Sequence, residues 1–148
     1  MRLLFATALL AITVSACGGG SADSPTSPTA PVDTVPYSTT NILVGTGAEA
    51  VTGRVIAVEY TGWLYSASAA DNKGTQFDSS FNPGRDPLVL TAGGTDTIPG
   101  FAQGVVGMRV GGLRRVVIPP SLGYGAQANG SIPANSTLVF EIELLAVR

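Results

Sequence analysis

The chain has 148 residues, enough for one domain with a hydrophobic core, and a net charge of -2 from 8 Lys and Arg against 10 Asp and Glu. That balance, without a run of like charges, argues against nucleic acid as a partner, because phosphate binding needs clustered lysine and arginine. The absence of histidine excludes a Ser-His-Asp triad and the usual zinc sites, so the sequence predicts no metal site and no cofactor.

The first 16 residues have the features of a signal peptide. Arg2 precedes an apolar stretch at residues 3–16, which suits a signal peptide and is short for a membrane-spanning helix. The stretch runs into Val-Ser-Ala-Cys, with Cys17 the only cysteine of the chain, and this motif resembles the bacterial lipobox. The resemblance implies that Cys17 is lipidated and that the chain is held to a membrane by its acyl groups. An ordinary secretory signal with an incidental cysteine is the alternative.

Residues 17–36 predict a flexible tether. Glycine, serine, threonine and proline without an apolar period cannot form a core, and residues 18–36 as flexible chain span about 24 Å. Gly18 is not the aspartate that commonly retains lipoproteins in the inner membrane, so we expect the periplasmic face of the outer membrane in a cell with two membranes. The folded domain is expected at residues 37–148, with a monomer as the default.

Beyond the tether, most of the chain has the pattern of β-strands. Residues 54–64 alternate, with Ile56, Val58 and Tyr60 on the face expected to contact a helix. The small, polar residues 66–74 predict a surface loop. Five strands are predicted at residues 54–64, 76–78, 87–91, 114–118 and 137–147, with a possible first strand at residues 42–44, and a turn-rich loop is expected at residues 121–134.

One helix is predicted, within residues 96–112. The apolar residues that recur there at three- and four-residue spacing are Ile98, Phe101, Val105 and Met108. Pro99 suits the first turn, and the Gly111-Gly112 pair suits the end. Roughly three turns rich in glycine are unstable alone, so this helix must pack on the sheet. The predicted fold class is therefore α+β, with a curved antiparallel sheet of about five strands wrapped around one short central helix.

Seven motifs extend this prediction to a family. They are YTGWL at residues 60–64, GTQFDSS at 74–80, IPGF at 98–101, GMRVG at 107–111, GYGA at 123–126, IP at 132–133 and LVFEIEL at 138–144. In this order and spacing they resemble the FKBP family, from residue 42 to the end of the chain. The resemblance implies a half-barrel sheet around a short helix, peptidyl-prolyl cis/trans isomerase activity on proline-containing polypeptides, and macrolides such as rapamycin and tacrolimus as ligands.

The resemblance also implies a largely apolar pocket and the residues that line it. Phe101 is expected to form the floor and Asp78 to be the one carboxylate near the substrate. The walls are expected from Tyr60, Phe77 and Phe140, the rim from Leu88, Thr97 and Ile98, and further lining from Tyr124 and Ile132. Asp78 and Tyr124 are the expected catalytic residues, with Asp78 orienting the substrate rather than acting as a base.

A pocket of this kind suits isomerisation, which needs neither a nucleophile nor a base. Rotation about an X-Pro bond costs about 18 to 20 kcal/mol because it breaks amide resonance. The twisted amide is less polar than the planar one, so a dry aromatic site disfavours the ground state relative to it. A hydrogen bond from Tyr124 or from the backbone N–H of Ile98 is expected to hold the peptide in register.

This sequence departs from the family pattern at several positions. Phe101 stands where drug-binding members often have tryptophan, and Leu88 where several have phenylalanine, so a smaller pocket is expected. The arginine that accompanies the aspartate in many members aligns near Pro83, and the sequence leaves open whether Arg85 replaces it. The loop after Tyr124 is one residue shorter and lacks the frequent histidine.

Two other functional classes remain as alternatives at this stage. The first is a chaperone or peptide-binding module that keeps the groove but has little turnover. The second is a surface lipoprotein with a role in adhesion or envelope scaffolding, for which the sequence has no large charged or repetitive surface. The aromatic residues and Asp78 favour the enzyme.

Overall fold

The computed structural model describes residues 35–148, which form one antiparallel sheet packed on a single α-helix. The signal peptide, Cys17 and most of the tether lie outside the described residues. The strands are β1 (Ser38–Leu43), β2 (Val55–Tyr65), β3 (Lys73–Ser79), β4 (Leu88–Thr91), β5 (Leu113–Ile118) and β6 (Leu138–Val147). They follow the order β1-β5-β6-β2-β3, and β4 also pairs with β2. The predicted fold class is confirmed, with six strands where about five were expected.

The long strand β2 organises the sheet. Its alternating pattern buries Ile56 and Val58 completely on the helix side, as predicted. One edge pairs with β6 along almost the whole strand. The other edge is shared, because β4 pairs with the first half of β2 and β3 with the second half. Residues 80–87 connect these two partners and so lie beside the middle of β2.

The helix α1 (Pro99–Val105) is shorter than predicted, with seven residues. Pro99 is at its first turn, as expected. The prediction that Gly111 and Gly112 end the helix is wrong. The chain leaves the helix at Val106, which is extended, and turns at Gly107, whose φ is +76°. Met108 still enters the core, with 3% of its surface exposed, because this turn replaces the helical turn that the periodicity suggested.

Glycines place the helix directly against β5. A Cβ on Gly100 would lie 2.5 Å from Ile118, and one on Gly104 would lie 2.8 Å from Val116, so neither position has room for a side chain. The Tyr37 hydroxyl donates to the Gly100 carbonyl at 3.1 Å. Close approach of helix and sheet therefore depends on the glycines that lower helix propensity.

The C-terminal end of the helix is capped by an arginine of β5. The Arg114 guanidinium donates to the carbonyl oxygens of Gly104 and Val106 at 2.8 and 2.9 Å and to the Asn41 side chain at 2.7 Å. These carbonyls have no partner within the helix, and a cation there also interacts favourably with the helix dipole. Arg114 thus links β1, β5 and the helix.

Two of the predicted boundaries differ in detail. The first strand begins at Ser38 rather than residue 42, because its backbone pairs with β5 although every one of its residues is exposed. The predicted loop at residues 66–74 contains a 3-10 turn, Ala70–Asn72, and gives way to β3 at Lys73.

Among residues 35–148, no helix has the length and apolar character that a bilayer crossing requires.

Candidate active site

Four aromatic rings meet on the concave side of the sheet, above the start of α1. Phe101 projects from the helix and packs edge-on against Phe140 of β6 and Tyr60 of β2, with ring centroids 5.2 and 5.7 Å apart. Phe77 of β3 packs edge-on against Phe140 at 5.5 Å. Edge-to-face pairs at such distances stabilise one another beyond simple burial. The predicted floor and walls therefore come together as one rigid cluster.

Gly62 of β2 makes room for two of these rings. A Cβ at this position would lie 2.7 Å from both Phe77 and Phe140. Gly62 pairs with Phe140 on one side and with Asp78 on the other, so it stands at the centre of the aromatic wall. Sequence reasoning used Gly62 only as part of a motif. A glycine inside a strongly alternating strand is the signal for a close approach of this kind.

Asp78 lies at the edge of the cluster, and its carboxylate is fully engaged. The Tyr60 hydroxyl donates to Oδ2 at 2.6 Å, and the backbone N–H of Ser79 donates to Oδ1 at 2.9 Å. Arg85 donates to both oxygens, at 2.9 and 3.4 Å. Arg85 therefore takes the place that the sequence left open, although it comes from a shifted loop. A carboxylate with these partners acts as a fixed negative charge.

Tyr60 is tuned and held by its neighbours. Burial, as the main cause, and the hydrogen bond to Asp78, as the second, raise the pKa of Tyr60 to about 12. The hydroxyl therefore keeps its proton. Its backbone N–H donates to the Ser80 hydroxyl at 2.8 Å, and the Ser80 N–H donates back to the Tyr60 carbonyl at 3.0 Å. The buried Ser80 hydroxyl also donates to the Glu59 carboxylate. Sequence reasoning missed this support of Tyr60 by Ser80 and Glu59.

The rim and the loop after β5 complete a cavity of about 60 Å³. It is lined by Tyr60, Phe77, Asp78, Leu88, Thr97, Ile98, Phe101, Tyr124 and Phe140. Among the residues predicted for the pocket, Ile132 is the one that lies outside this cavity. Ile132 lines an adjoining, more open cavity of about 300 Å³, which shares Phe77, Asp78 and Tyr124 with the first.

Two donors are available to a ligand at this rim. Within residues 35–148 the Tyr124 hydroxyl makes no hydrogen bond, and the Ile98 backbone N–H has no backbone acceptor. Ile98 is the N-cap of α1, and its carbonyl accepts from Phe101 and Ala102. In the part of the chain that the structure describes, no group of three His, Cys, Asp or Glu side chains could hold a metal ion. The site is thus an apolar pocket with one paired carboxylate and two free donors.

Known proteins are similar to this chain in sequence and in fold. The family model described as FKBP-type peptidyl-prolyl cis-trans isomerase matches residues 47–145. FK506-binding protein 1 of Aspergillus oryzae is 45% identical over 108 residues, which are 72% of this chain and 93% of that protein. An FK506-binding protein of Neisseria meningitidis serogroup B is 48% identical over 104 residues, which are 70% and 88% of the two chains.

Two solved structures are also similar to this chain in fold. The crystal structure of AtFKBP13 has a TM-score of 0.64 and 34% identity, covering 80% of this chain and 98% of that one. The structure of FkpA from Escherichia coli has a TM-score of 0.62 and 32% identity, covering 83% and 53%.

The chain therefore belongs to the FKBP-type peptidyl-prolyl cis-trans isomerase family, and it is an enzyme of that type. The family resemblance predicted from seven motifs is confirmed. The roles of the individual pocket residues remain predictions.

Proposed function

We propose that this isomerase is exported and anchored to a membrane by lipid on Cys17. It speeds the folding of exported proteins by catalysing cis/trans isomerisation of their X-Pro bonds. X-Pro isomerisation takes tens to hundreds of seconds unaided and can limit folding. The signal peptide and the lipobox-like motif support export. An exported isomerase meets proteins that fold outside the cytoplasm, and these are its proposed substrates.

The single observation that carries the proposed mechanism is the aromatic cavity of about 60 Å³ that ends at Asp78. Phe101 is 2% exposed and Phe140 5%, so the rings of its floor and one wall are almost entirely removed from water. An apolar wall cannot solvate the planar amide dipole, which raises the ground state relative to the twisted one. Rotation needs no bond to another group, and a differential stabilisation of about 5 kcal/mol supplies several thousand-fold acceleration.

The polar groups of the pocket orient the peptide. The Tyr124 hydroxyl and the Ile98 N–H each donate to a substrate carbonyl, which holds the chain on both sides of the rotating bond. Asp78 accepts from Tyr60 and Arg85 and does not move a proton. Its fixed negative charge faces the rotating amide. Asp78 and Tyr124 are thus the groups of this site that act on the reacting bond.

Macrolide binding is proposed for the same pocket. The relatives named above carry FK506 binding in their names, and the cavity combines apolar walls with two free donors. Phe101 and Leu88 leave a smaller floor and rim than tryptophan and phenylalanine would. Affinity for rapamycin and tacrolimus is therefore expected to be lower than in members that carry the larger residues.

The mechanism is tested by the cis-to-trans rate of a short X-Pro peptide. We expect the chain to accelerate it and excess rapamycin to abolish the acceleration. Uninhibited acceleration would remove the macrolide proposal and leave the enzyme. A folded protein that accelerates no peptide, with several residues before proline, would instead support a binding module.

Anchoring is tested separately by Cys17→Ser. We expect the wild-type chain in the membrane fraction and the variant released into the soluble exported fraction. Equal membrane fractionation of the two would contradict a lipid anchor on Cys17. Separation of inner from outer membranes then tests the outer-membrane location.

A further inference from the structure

The described chain begins beside the loop that contributes Tyr124 and Ile132 to the active-site cavities. Val35 lines a cleft with residues at the end of β2 and in the segment before β6, including Tyr65, Asn135 and Thr137. Ser38, only three positions later, pairs with Val117 of β5. The chain entering β1 therefore crosses the ends of β6 and β2.

The loop at residues 123–137 lines both this cleft and the catalytic pocket. Tyr124 and Ile132 line the pocket and its adjoining cavity, whereas Asn135 lines the cleft that holds Val35. The Asn135 N–H donates to the Gly125 carbonyl at 2.8 Å, which ties the two ends of the loop together. The tether thus starts behind a short loop whose other side faces the substrate.

The tether itself carries the chemical group that this pocket recognises. Residues 24–31 read Ser-Pro-Thr-Ser-Pro-Thr-Ala-Pro and hold three X-Pro bonds and no charge. Pro31, Pro28 and Pro25 lie four, seven and ten positions before Val35. Fully extended, these lengths reach about 13, 23 and 33 Å. Pro25 and Pro28 therefore have the longer reach from Val35.

We propose that residues 24–31 are an intramolecular substrate of the pocket, in which the enzyme isomerises the X-Pro bonds of its own tether. The inference rests on the proposed function of the pocket. A short flexible connection gives a tethered ligand an effective concentration of the order of millimolar. A neutral Ser-Pro or Ala-Pro segment enters an apolar site without desolvating a charge. The tether then also competes with external substrates.

Competition between the tether and an added peptide can be measured as a change in KM. A tethered segment with a millimolar dissociation constant fills about half of the sites at a millimolar effective concentration, which doubles the apparent KM. In the full chain, held in detergent micelles, replacement of Pro25, Pro28 and Pro31 by alanine should lower KM for an X-Pro peptide about twofold. The matched control replaces Thr26, Thr29 and Thr34 by alanine and keeps every proline, so its KM should equal that of the wild type.

Exchange NMR of the labelled full chain gives the direct test. The cis and trans signals around Ala30 should exchange on the timescale of seconds or faster, whereas a free peptide of residues 21–36 exchanges over tens of seconds or more. The exchange rate should be unchanged by tenfold dilution, because the step is intramolecular.

Three results would overturn the proposal. Slow exchange at all three prolines, while an added X-Pro peptide is isomerised in the same sample, would contradict the tether inference and leave the proposed function intact. A rate that falls with dilution would show that one molecule acts on the tether of another. Slow exchange in both the tether and the added peptide would contradict the proposed function, and this inference with it.

Discussion

The two faces of the sheet use the same strands for different chemistry. On β6, Phe140 points into the pocket, while Glu141 beside it accepts from Lys73 at 3.0 Å and from Arg115 at 2.9 Å on the outer face. On β2, Gly62 opens the aromatic wall, and Trp63 beside it lies 4.9 Å under the Lys73 ammonium. Strand alternation therefore gives one apolar face with one engaged carboxylate and one face of paired charges.

The difference shows what a carboxylate can do in each setting. Glu141 and Asp71 share the cations Lys73 and Arg115 at a surface that water reaches, so their charges are largely cancelled and screened. Asp78 is fixed by Tyr60 and Arg85 next to four rings. Asp78 therefore holds a charge in a defined position beside the aromatic cavity.

The largest expected effect comes from filling the space between the rings. Gly62→Ala places a Cβ 2.7 Å from Phe77 and Phe140, so the wall must shift. We expect unfolding free energy to fall by about 1 to 3 kcal/mol and kcat/KM to fall on the order of 100-fold, since small displacements of a site cost that much. Denaturant unfolding and the peptide assay measure the two effects. Glu143→Gln on the outer face is the control and should change neither.

A matched pair of carboxylate changes separates the two faces. Asp78→Asn keeps the size of the side chain but removes the charge beside the pocket, and we expect kcat/KM to fall roughly tenfold, corresponding to about 1.4 kcal/mol. Glu141→Gln should cost about 1 kcal/mol of stability or less and leave kcat/KM unchanged. Equal losses of activity in the two variants would contradict a special role for Asp78.

A third prediction concerns the pH dependence of stability. The pKa of Tyr60 is raised from 10.0 to about 12, so between these pH values the folded chain holds a proton that the unfolded chain has released. Unfolding free energy is therefore expected to fall as pH rises from 10 to 12. Burial also raises the pKa of Tyr37, which adds a slope of the same sign. Tyr60→Phe should reduce the slope of denaturant-derived stability against pH without abolishing it, and an unchanged slope would contradict the shift.

Periodicity predicted most of the sheet because its strands are half-buried and alternate cleanly. Ile142 and Leu144 lie on the inner face of β6 and are fully buried, which is what an apolar and polar alternation specifies. The pattern failed where backbone geometry decides the structure. The apolar spacing continues past Val105, but a turn at Gly107 ends the helical path. Strand β1 has no buried residue to reveal it.

The residues that line the cavity could be predicted from the sequence, but their hydrogen bonds could not. The family resemblance marked all nine residues that line one cavity, and seven of the nine lie within its motifs. They could not show that Arg85 reaches Asp78, since that depends on the path of an irregular loop. They also could not show the Ser80 and Glu59 support of Tyr60, since those contacts join residues about 20 positions apart.

The shared edge of β2 has a consequence for redesign of this enzyme. Because β3 and β4 pair independently with the two halves of β2, residues 81–84 can be lengthened, shortened or exchanged without interrupting a strand and without removing Ser80 or Arg85, which contact Tyr60 and Asp78. That segment begins three positions after Asp78 and ends four positions before Leu88, so its exchange remodels the surface next to the pocket while the floor stays in place. It is a natural grafting point for sequences that select among client proteins.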